Sequence, residues 1–160
     1  MTRGIIRVSF APLLILIFTL VSCNSSVVFT QSEPIPGETW NLMNAVVFKV
    51  PVTDTITSNN VDFTIRNGSS YPFRNIYLFV SATSPDGKTL TDTLQYNLAD
   101  EKGNWFGKGF GDIHELKLPY KANVFFPRKG IYEFKIQHGM RVENLRGVYD
   151  IGMKIVKIKK

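Results

Sequence analysis

The segment VDFTIRNGSSYPFRNIYLFVSATSPDG, residues 61–87, carries its apolar side chains at every second position. Val61, Phe63 and Ile65 point to one side and Asp62, Thr64 and Arg66 to the other, which is the period of a half-buried strand. Asn67-Gly68 then turns the chain. Beyond Phe73, the residues Ile76, Leu78 and Val80 alternate with Tyr77 and Phe79. Both sets are apolar, so this second strand is expected in the middle of a sheet. Pro85-Asp86-Gly87 ends it in a turn, because proline presets φ and glycine tolerates φ > 0.

The same pattern extends in both directions. Further strands are expected over residues 40–50, 89–97, 112–118, 122–126, 131–137 and 150–158, separated by Gly, Pro, Asn and Asp. Short strands at such regular spacing predict an all-β chain folded as a single antiparallel β-sandwich, Ig-like or jelly-roll-like, rather than βα units. No stretch offers a long amphipathic helix, and residues 141–146 allow one helical turn at most. Neither an internal repeat nor a second domain is visible, and the sandwich is expected over residues 39–160.

The other end of the chain carries a different signal. MTRGIIRVSFAPLLILIFTLVSC, residues 1–23, has Arg3 and Arg7, then an apolar run from Val8 to Val21, then Ser22 and Cys23. This is a signal peptide with a charged start and an apolar middle too short to span a bilayer comfortably. Leu20-Val21-Ser22-Cys23 fits the lipobox, where cleavage before the cysteine leaves a lipidated thiol, carrying fatty acyl chains such as palmitate, at the new N-terminus. The alternative is an ordinary secretory leader with an incidental thiol. Acyl chains add about 0.8 kcal/mol per buried CH₂, so two or three of them make attachment effectively permanent. Cys23 is the only cysteine, so no intrachain disulfide can form.

Asn24 after the cysteine argues against inner-membrane retention, and no acid lies within residues 24–28 to signal surface export. The expected location is the cell envelope, in the outer membrane and facing the periplasm. Residues 1–22 are the signal peptide, and residues 23–38, with Pro34, Pro36 and Gly37, read as the lipidated N-terminus and a short tether containing at most a brief strand at 27–30. Removing the signal leaves 138 residues, and nineteen Lys and Arg less Arg3 and Arg7 leave seventeen against thirteen acids, a net charge of about +4. Several of these bases are the terminal Lys154, Lys157, Lys159 and Lys160, the pattern of a solvated strand end. With an export signal in front, nucleic acid is not an expected partner.

One motif resists the simple strand reading. GNWFGKGFGDI, residues 103–113, holds four glycines around Trp105 and Lys108. A phosphate cradle would need a following helix and Gly-Lys-Ser/Thr, and the chain has Gly107-Lys108-Gly109-Phe110 instead. If extended, the stretch puts Phe106, Lys108, Phe110 and Asp112 on one face and Gly107, Gly109 and Gly111 on the other. Such a glycine face suits a bulge or corner where another backbone approaches closely. Alternatively it is an exposed edge, with Trp105, Lys108 and Phe110 as partner-binding residues.

Catalytic constellations are sparse. His114 and His138 do not sit at metal-ligand spacing, so neither a metal nor a cofactor is expected. Asp112 and His114 lack an accompanying nucleophile. Asp92, Asp100 and Asp150 could supply the carboxylate pair of a glycosidase, and Tyr71, Phe73, Tyr77 and Trp105 an aromatic sugar platform, although strand aromatics are more often core. The expectation is a non-enzymatic protein, with a glycan- or peptidoglycan-binding module as the alternative.

The blocks YPFRNIYLFV, Pro85-Asp86-Gly87, DTLQYNLAD, GNWFGKGFGDI, FPRKGIYEFKIQHGMR and LRGVYDIGMKI, in this order behind a lipobox, resemble the gliding motility lipoprotein family GldH. The resemblance spans nearly the whole mature chain. It implies a role in cell movement over surfaces, in which the protein supports the envelope machinery that exports and moves adhesins. The partners so implied are envelope proteins of the gliding and secretion apparatus. The family is defined by no active site, and the one functional residue that carries over is the lipidated cysteine, at Cys23.

Overall fold

The computed structural model describes residues 26–158. Cys23 and the signal peptide lie outside the described residues. Ten strands follow one another: β1 (Val27–Pro34), β2 (Thr39–Asn41), β3 (Val46–Val52), β4 (Asn59–Asn67), β5 (Asn75–Thr83), β6 (Thr89–Asn97), β7 (His114–Val124), β8 (Gly130–His138), β9 (Asn144–Arg146) and β10 (Val148–Lys157). A single 3₁₀ turn, Pro36–Glu38, joins β1 to β2.

Every pairing between successive arms follows one rule. β5 pairs with β6, β4 with β7, β3 with β8, β2 with β9 and β1 with β10, all antiparallel. The chain is thus one long hairpin, closed at the Pro85-Asp86-Gly87 turn and wound around a core. Winding brings β10 against β4 and β8 against β5. The result is a sheet in the order β1-β10-β4-β7 facing one in the order β3-β8-β5-β6. This is jelly-roll connectivity, the second of the two sandwich types expected.

The period-two pattern sorts residues into this core as its physics requires. Phe63, Ile65, Ile76, Leu78 and Val80 are fully buried, and Phe48, Val50, Ile136 and Ile155 meet them from the other strands. Tyr77 and Phe79 lie on the outer face of the second sheet, where they remain 37% and 44% exposed. The strand is central in its sheet but not covered on both sides. At one margin the sheets are tied by the Tyr96 hydroxyl on the Pro119 carbonyl (2.7 Å), and by Asp92 accepting from Tyr120 (2.7 Å) and pairing with Lys121 (3.1 Å). At the other margin Phe29 of β1 meets Phe48 of β3 edge to face.

Four expectations need correction. Residues 40–50 are not one strand: they break at 42–45, where the Trp40 indole donates to the Asn44 carbonyl (2.7 Å). Residues 112–118 and 122–126 do not form separate strands; β7 runs from His114 to Val124, with register shifts opposite Val61 that absorb Tyr120 as a bulge. Residues 141–146 form no helical turn but supply β9, which pairs with β2. Finally, of the tether expected over residues 23–38, the described part, 26–38, is not free chain. Residues 27–34 form a full edge strand on β10, and the Ser26 carbonyl already accepts the N–H of Lys157 (2.8 Å). Only Asn24 and Ser25 stand between Cys23 and the fold.

The wound hairpin also sorts the loops by end. The start of β1 shares one end with the 53–58, 84–88 and 125–129 loops and the close of β10. The 35–45, 68–74, 98–113 and 139–147 segments gather at the opposite end.

Candidate functional site

The longest of these connections is the 98–113 segment between β6 and β7, and it is tied down residue by residue. Leu98 and Ala99 donate their N–H groups to the Arg74 carbonyl at 2.7 and 3.1 Å. The Asp100 carboxylate accepts the N–H groups of Lys102 and Asn104 and the Asn104 side-chain amide, each at 2.8 Å. Those bonds from Asn104, with the one from Lys102, hold Asp100 below the usual carboxylate pKa. Trp105 bridges back to Ala99, and Phe106 donates to the Leu98 carbonyl (2.8 Å).

Then the chain reverses. Lys108 and Glu115 exchange both backbone hydrogen bonds (2.9 and 2.8 Å), and Ile113 donates to the Phe110 carbonyl (3.4 Å). Residues 105–113 are therefore not an extended strand with two faces; they form the first arm and tip of a small hairpin that continues into β7. The three glycines consequently do different things. A Cβ on Gly109 would lie 1.8 Å from the Ile113 carbonyl oxygen, and one on Gly107 would lie 3.0 Å from that of Glu115. Gly111 meets nothing but has φ +64°, the left-handed conformation of the turn. Close backbone approach, expected from the motif, is thus found at Gly107 and Gly109. The anion cradle fails on chemistry: the N–H groups of Phe106, Lys108 and Ile113 are already donated, and a strand follows instead of a helix.

Asp112 clamps the tip to the β4–β5 connection by accepting the Ser69 N–H (2.9 Å), and to the start of β10 by accepting from the Tyr149 hydroxyl (3.4 Å). Hydrogen bonding from Ser69 lowers its pKa. Of the three partner-binding candidates, Trp105 is the misfit. It is half-buried, with its ring 6.2 Å from Tyr71 and 6.0 Å from His114, so it serves as the foot of the loop. Lys108 and Phe110 are exposed, Phe110 at 96%, and they are joined by Phe106 at 52%, which sequence reasoning had placed on this face without assigning it a role. An open groove of about 770 Å³ runs below these side chains, floored by Ile113 and Leu116 and bounded by Arg66. Arg66 was legible only as a strand residue, since its place beside the loop depends on the β4–β7 register.

The remaining candidates do not assemble. Trp105, Tyr71 and Phe73 adjoin edge to face, with centroids 6.2 and 6.1 Å apart, but Tyr71 between them is buried and Phe73 turns to a separate hollow with Tyr77 and Met140, so the four rings present no common exposed platform. Asp92 is engaged by Tyr120 and Lys121, Asp100 by its own turn, and Asp150 by Ser32 (2.8 Å) and Arg66. No shared carboxylate pair results. His138 is fully buried with its ring 5.4 Å from Trp40, and burial lowers its pKa against a weaker pull from the Trp40 and Glu143 backbone. Among the described residues no group of three His, Cys, Asp or Glu side chains could hold a metal ion.

The family profile described as GldH lipoprotein matches residues 27–155, from the first strand almost to the end of the last. The chain belongs to the GldH lipoprotein family. It is 37% identical over 150 residues to the gliding motility lipoprotein GldH of Flavobacterium johnsoniae, a match covering 89% of this chain and 92% of that one. It is also 35% identical over 153 residues to a gliding motility lipoprotein GldH homolog of Christiangramia forsetii, covering 89% and 93%. The match includes the 98–113 loop and every strand of the jelly roll, so this GldH chain is a gliding-motility lipoprotein of the cell envelope. Among solved structures, an infectious bursal disease virus VP2 particle aligns with 81% of this chain and 30% of its own at 14% identity and a TM-score of 0.35. The GldH fold described above rests on its own strand pairings.

Proposed function

We propose that this GldH-family protein is a non-enzymatic docking module, held in the outer membrane on the periplasmic side by acyl chains on Cys23, that supports assembly or operation of the gliding apparatus. The observation that carries the reading is the placement of the Phe106–Phe110 loop at the end of the sandwich opposite the start of β1. An anchor at one end leaves the other end free for a partner. Two exposed aromatics and Lys108 above an apolar groove have the composition of an interface core with a charged rim. The hairpin is fastened by backbone bonds and the Asp112 clamp, so little ordering entropy opposes docking. The partner suited to it is another protein of the gliding and secretion envelope machinery.

The test is a photo-crosslinking amino acid placed at Phe110, and separately at Tyr77 on the sheet face, in gliding cells. A discrete crosslinked species from position 110 alone, and loss of gliding in a Phe106→Ala/Phe110→Ala double variant at normal abundance, would support docking through this loop. Gliding at the wild-type rate in the double variant would exclude it. A second reading, a glycan-binding face, is favoured by Tyr77 and Phe79, half-exposed on the outer sheet beside Thr93, Gln95 and Gln137. Calorimetric titration of the wild type and a Tyr77→Ala/Phe79→Ala variant with peptidoglycan fragments separates the two.

A further inference from the structure

We infer that the end of the jelly roll opposite the docking loop is a second interaction surface, built to lie on an anionic phospholipid bilayer. The inference rests on the lipidation of Cys23 proposed above. Ser26 is already part of the fold through its bond to Lys157, so three peptide steps separate the acylated residue from the domain. Fully extended, three residues span roughly 11 Å. The opposite end is a strand length further away, on the order of 30 Å at about 3.3 Å per residue. A lead this short holds the β1 end against the membrane surface.

What that end presents fits a bilayer. Ile56, at the tip of the β3–β4 loop, is 86% exposed, and Phe125, opening the β7–β8 loop, is 58% exposed. Val27 and Val28 at the start of β1 are exposed at the same end, lining one hollow with Thr53 and Asp54 of the β3–β4 loop and Lys157. Isolated aromatic and branched aliphatic side chains on loop tips suit the interface between headgroups and acyl chains. The charge has the matching sign. Lys88, Arg128 and Lys129 stand on these loops against Asp54 and Asp86, with Lys157 added at the close of β10, whereas the loops of the opposite end carry acids and bases in equal number. Asp54 pairs with Lys157 (2.8 Å) and Asp86 with Arg128 (3.0 Å). Among the described residues Lys129 forms no ion pair and Lys88 only a loose one, with Asp86 at 3.8 Å. Held within about a Debye length of the surface, roughly 8–10 Å, such cations are attracted to anionic headgroups without full screening. The surface would then set the tilt of the domain and aim the Phe106–Phe110 loop away from the membrane.

The single native cysteine makes the test direct, since acylation occupies its thiol and an introduced cysteine is then the one free site. The mature lipidated chain carrying Ile56→Cys, Phe125→Cys or Phe110→Cys is labelled with a nitroxide and reconstituted into vesicles of phosphatidylethanolamine and phosphatidylglycerol. Collision rates with oxygen and with a water-soluble nickel chelate are then compared. All three positions are exposed, so labelling leaves the core intact. The expected result is an oxygen-to-nickel ratio severalfold higher at 56 and 125 than at 110. Adding Lys129→Glu to the Phe125→Cys chain should lower its ratio in these vesicles and leave it unchanged in phosphatidylcholine. Ratios at 56 and 125 as low as at 110, in a chain shown by mass to be acylated and floating with the vesicles, would overturn the inference and leave the anchor standing. A chain that lacks the acyl mass and does not float would overturn both.

Discussion

The position of a Cβ on Gly109 falls 1.8 Å from the carbonyl oxygen of Ile113, inside any allowed contact. The oxygen belongs to the backbone that enters β7, so the side chain cannot be accommodated by a rotamer change. Gly109→Ala is expected to open the Lys108–Glu115 hairpin or shift the start of β7, at a cost of about 1–3 kcal/mol. Gly111→Ala meets no atom but imposes a left-handed residue, at roughly 1 kcal/mol. Urea midpoints of the two variants check both figures. Wild-type stability in Gly109→Ala would show that the hairpin is not closed as described.

Trp105→Ala and Phe110→Ala should separate in the same measurement. Trp105 packs on Tyr71 and His114, so its loss lowers the midpoint by an amount typical of a large half-buried side chain, on the order of 2 kcal/mol. Phe110, almost fully exposed, should leave the midpoint unchanged while weakening partner crosslinking. The proposal of a docking loop is falsified if Phe110→Ala crosslinks and glides as wild type does.

Acidification should act in two windows. The folded state depresses the pKa of His138 by burial, so the unfolded chain takes up this proton first. The contribution is complete above the unfolded pKa of about 6.5 and is lost as pH falls through the lower folded value. His138→Phe should flatten the stability profile in that range. Below about pH 4 the carboxylates follow: Asp92, held low chiefly by the Tyr120 hydroxyl and then by Lys121, contributes above its unfolded pKa and loses that contribution as pH falls through its depressed folded value. Asp92→Asn should shallow the acid limb and leave the slope near neutrality unchanged, as read from urea midpoints across pH.

Cys23→Ser should remove incorporation of labelled fatty acid, leave an uncleaved or mislocalised precursor and abolish gliding. Equal acyl incorporation in wild type and variant would place the anchor elsewhere.

What the chain alone determined is local. Alternation against polar neighbours marks Val61, Phe63 and Ile65 as a core face, whereas Ile76, Leu78 and Val80 alternate with the equally apolar Tyr77 and Phe79, and only the packed sheets decided which of those two sets is buried. Turn chemistry placed the hairpin at Pro85-Asp86-Gly87, where Gly87 has φ +83° and donates to the Ser84 carbonyl. The run before Cys23 reads as a lipoprotein leader. Which strand lies beside which was decided only in three dimensions, because a period of two states a face and never a neighbour. The pairing of β1 with β10 joins residues far apart in the chain, and that contact turned residues 27–34 of the expected tether into an edge strand. The glycines of the 103–113 loop show the same limit. Their spacing announced a close backbone approach, but the oxygen that makes Gly109 obligatory belongs to Ile113, four residues on and across a reversal that only the Lys108–Glu115 bonds reveal. The separation of the end that holds the start of β1 from the end that holds the Phe106–Phe110 loop follows from winding one long hairpin around a core, since each reversal of an antiparallel strand returns the chain to the opposite end.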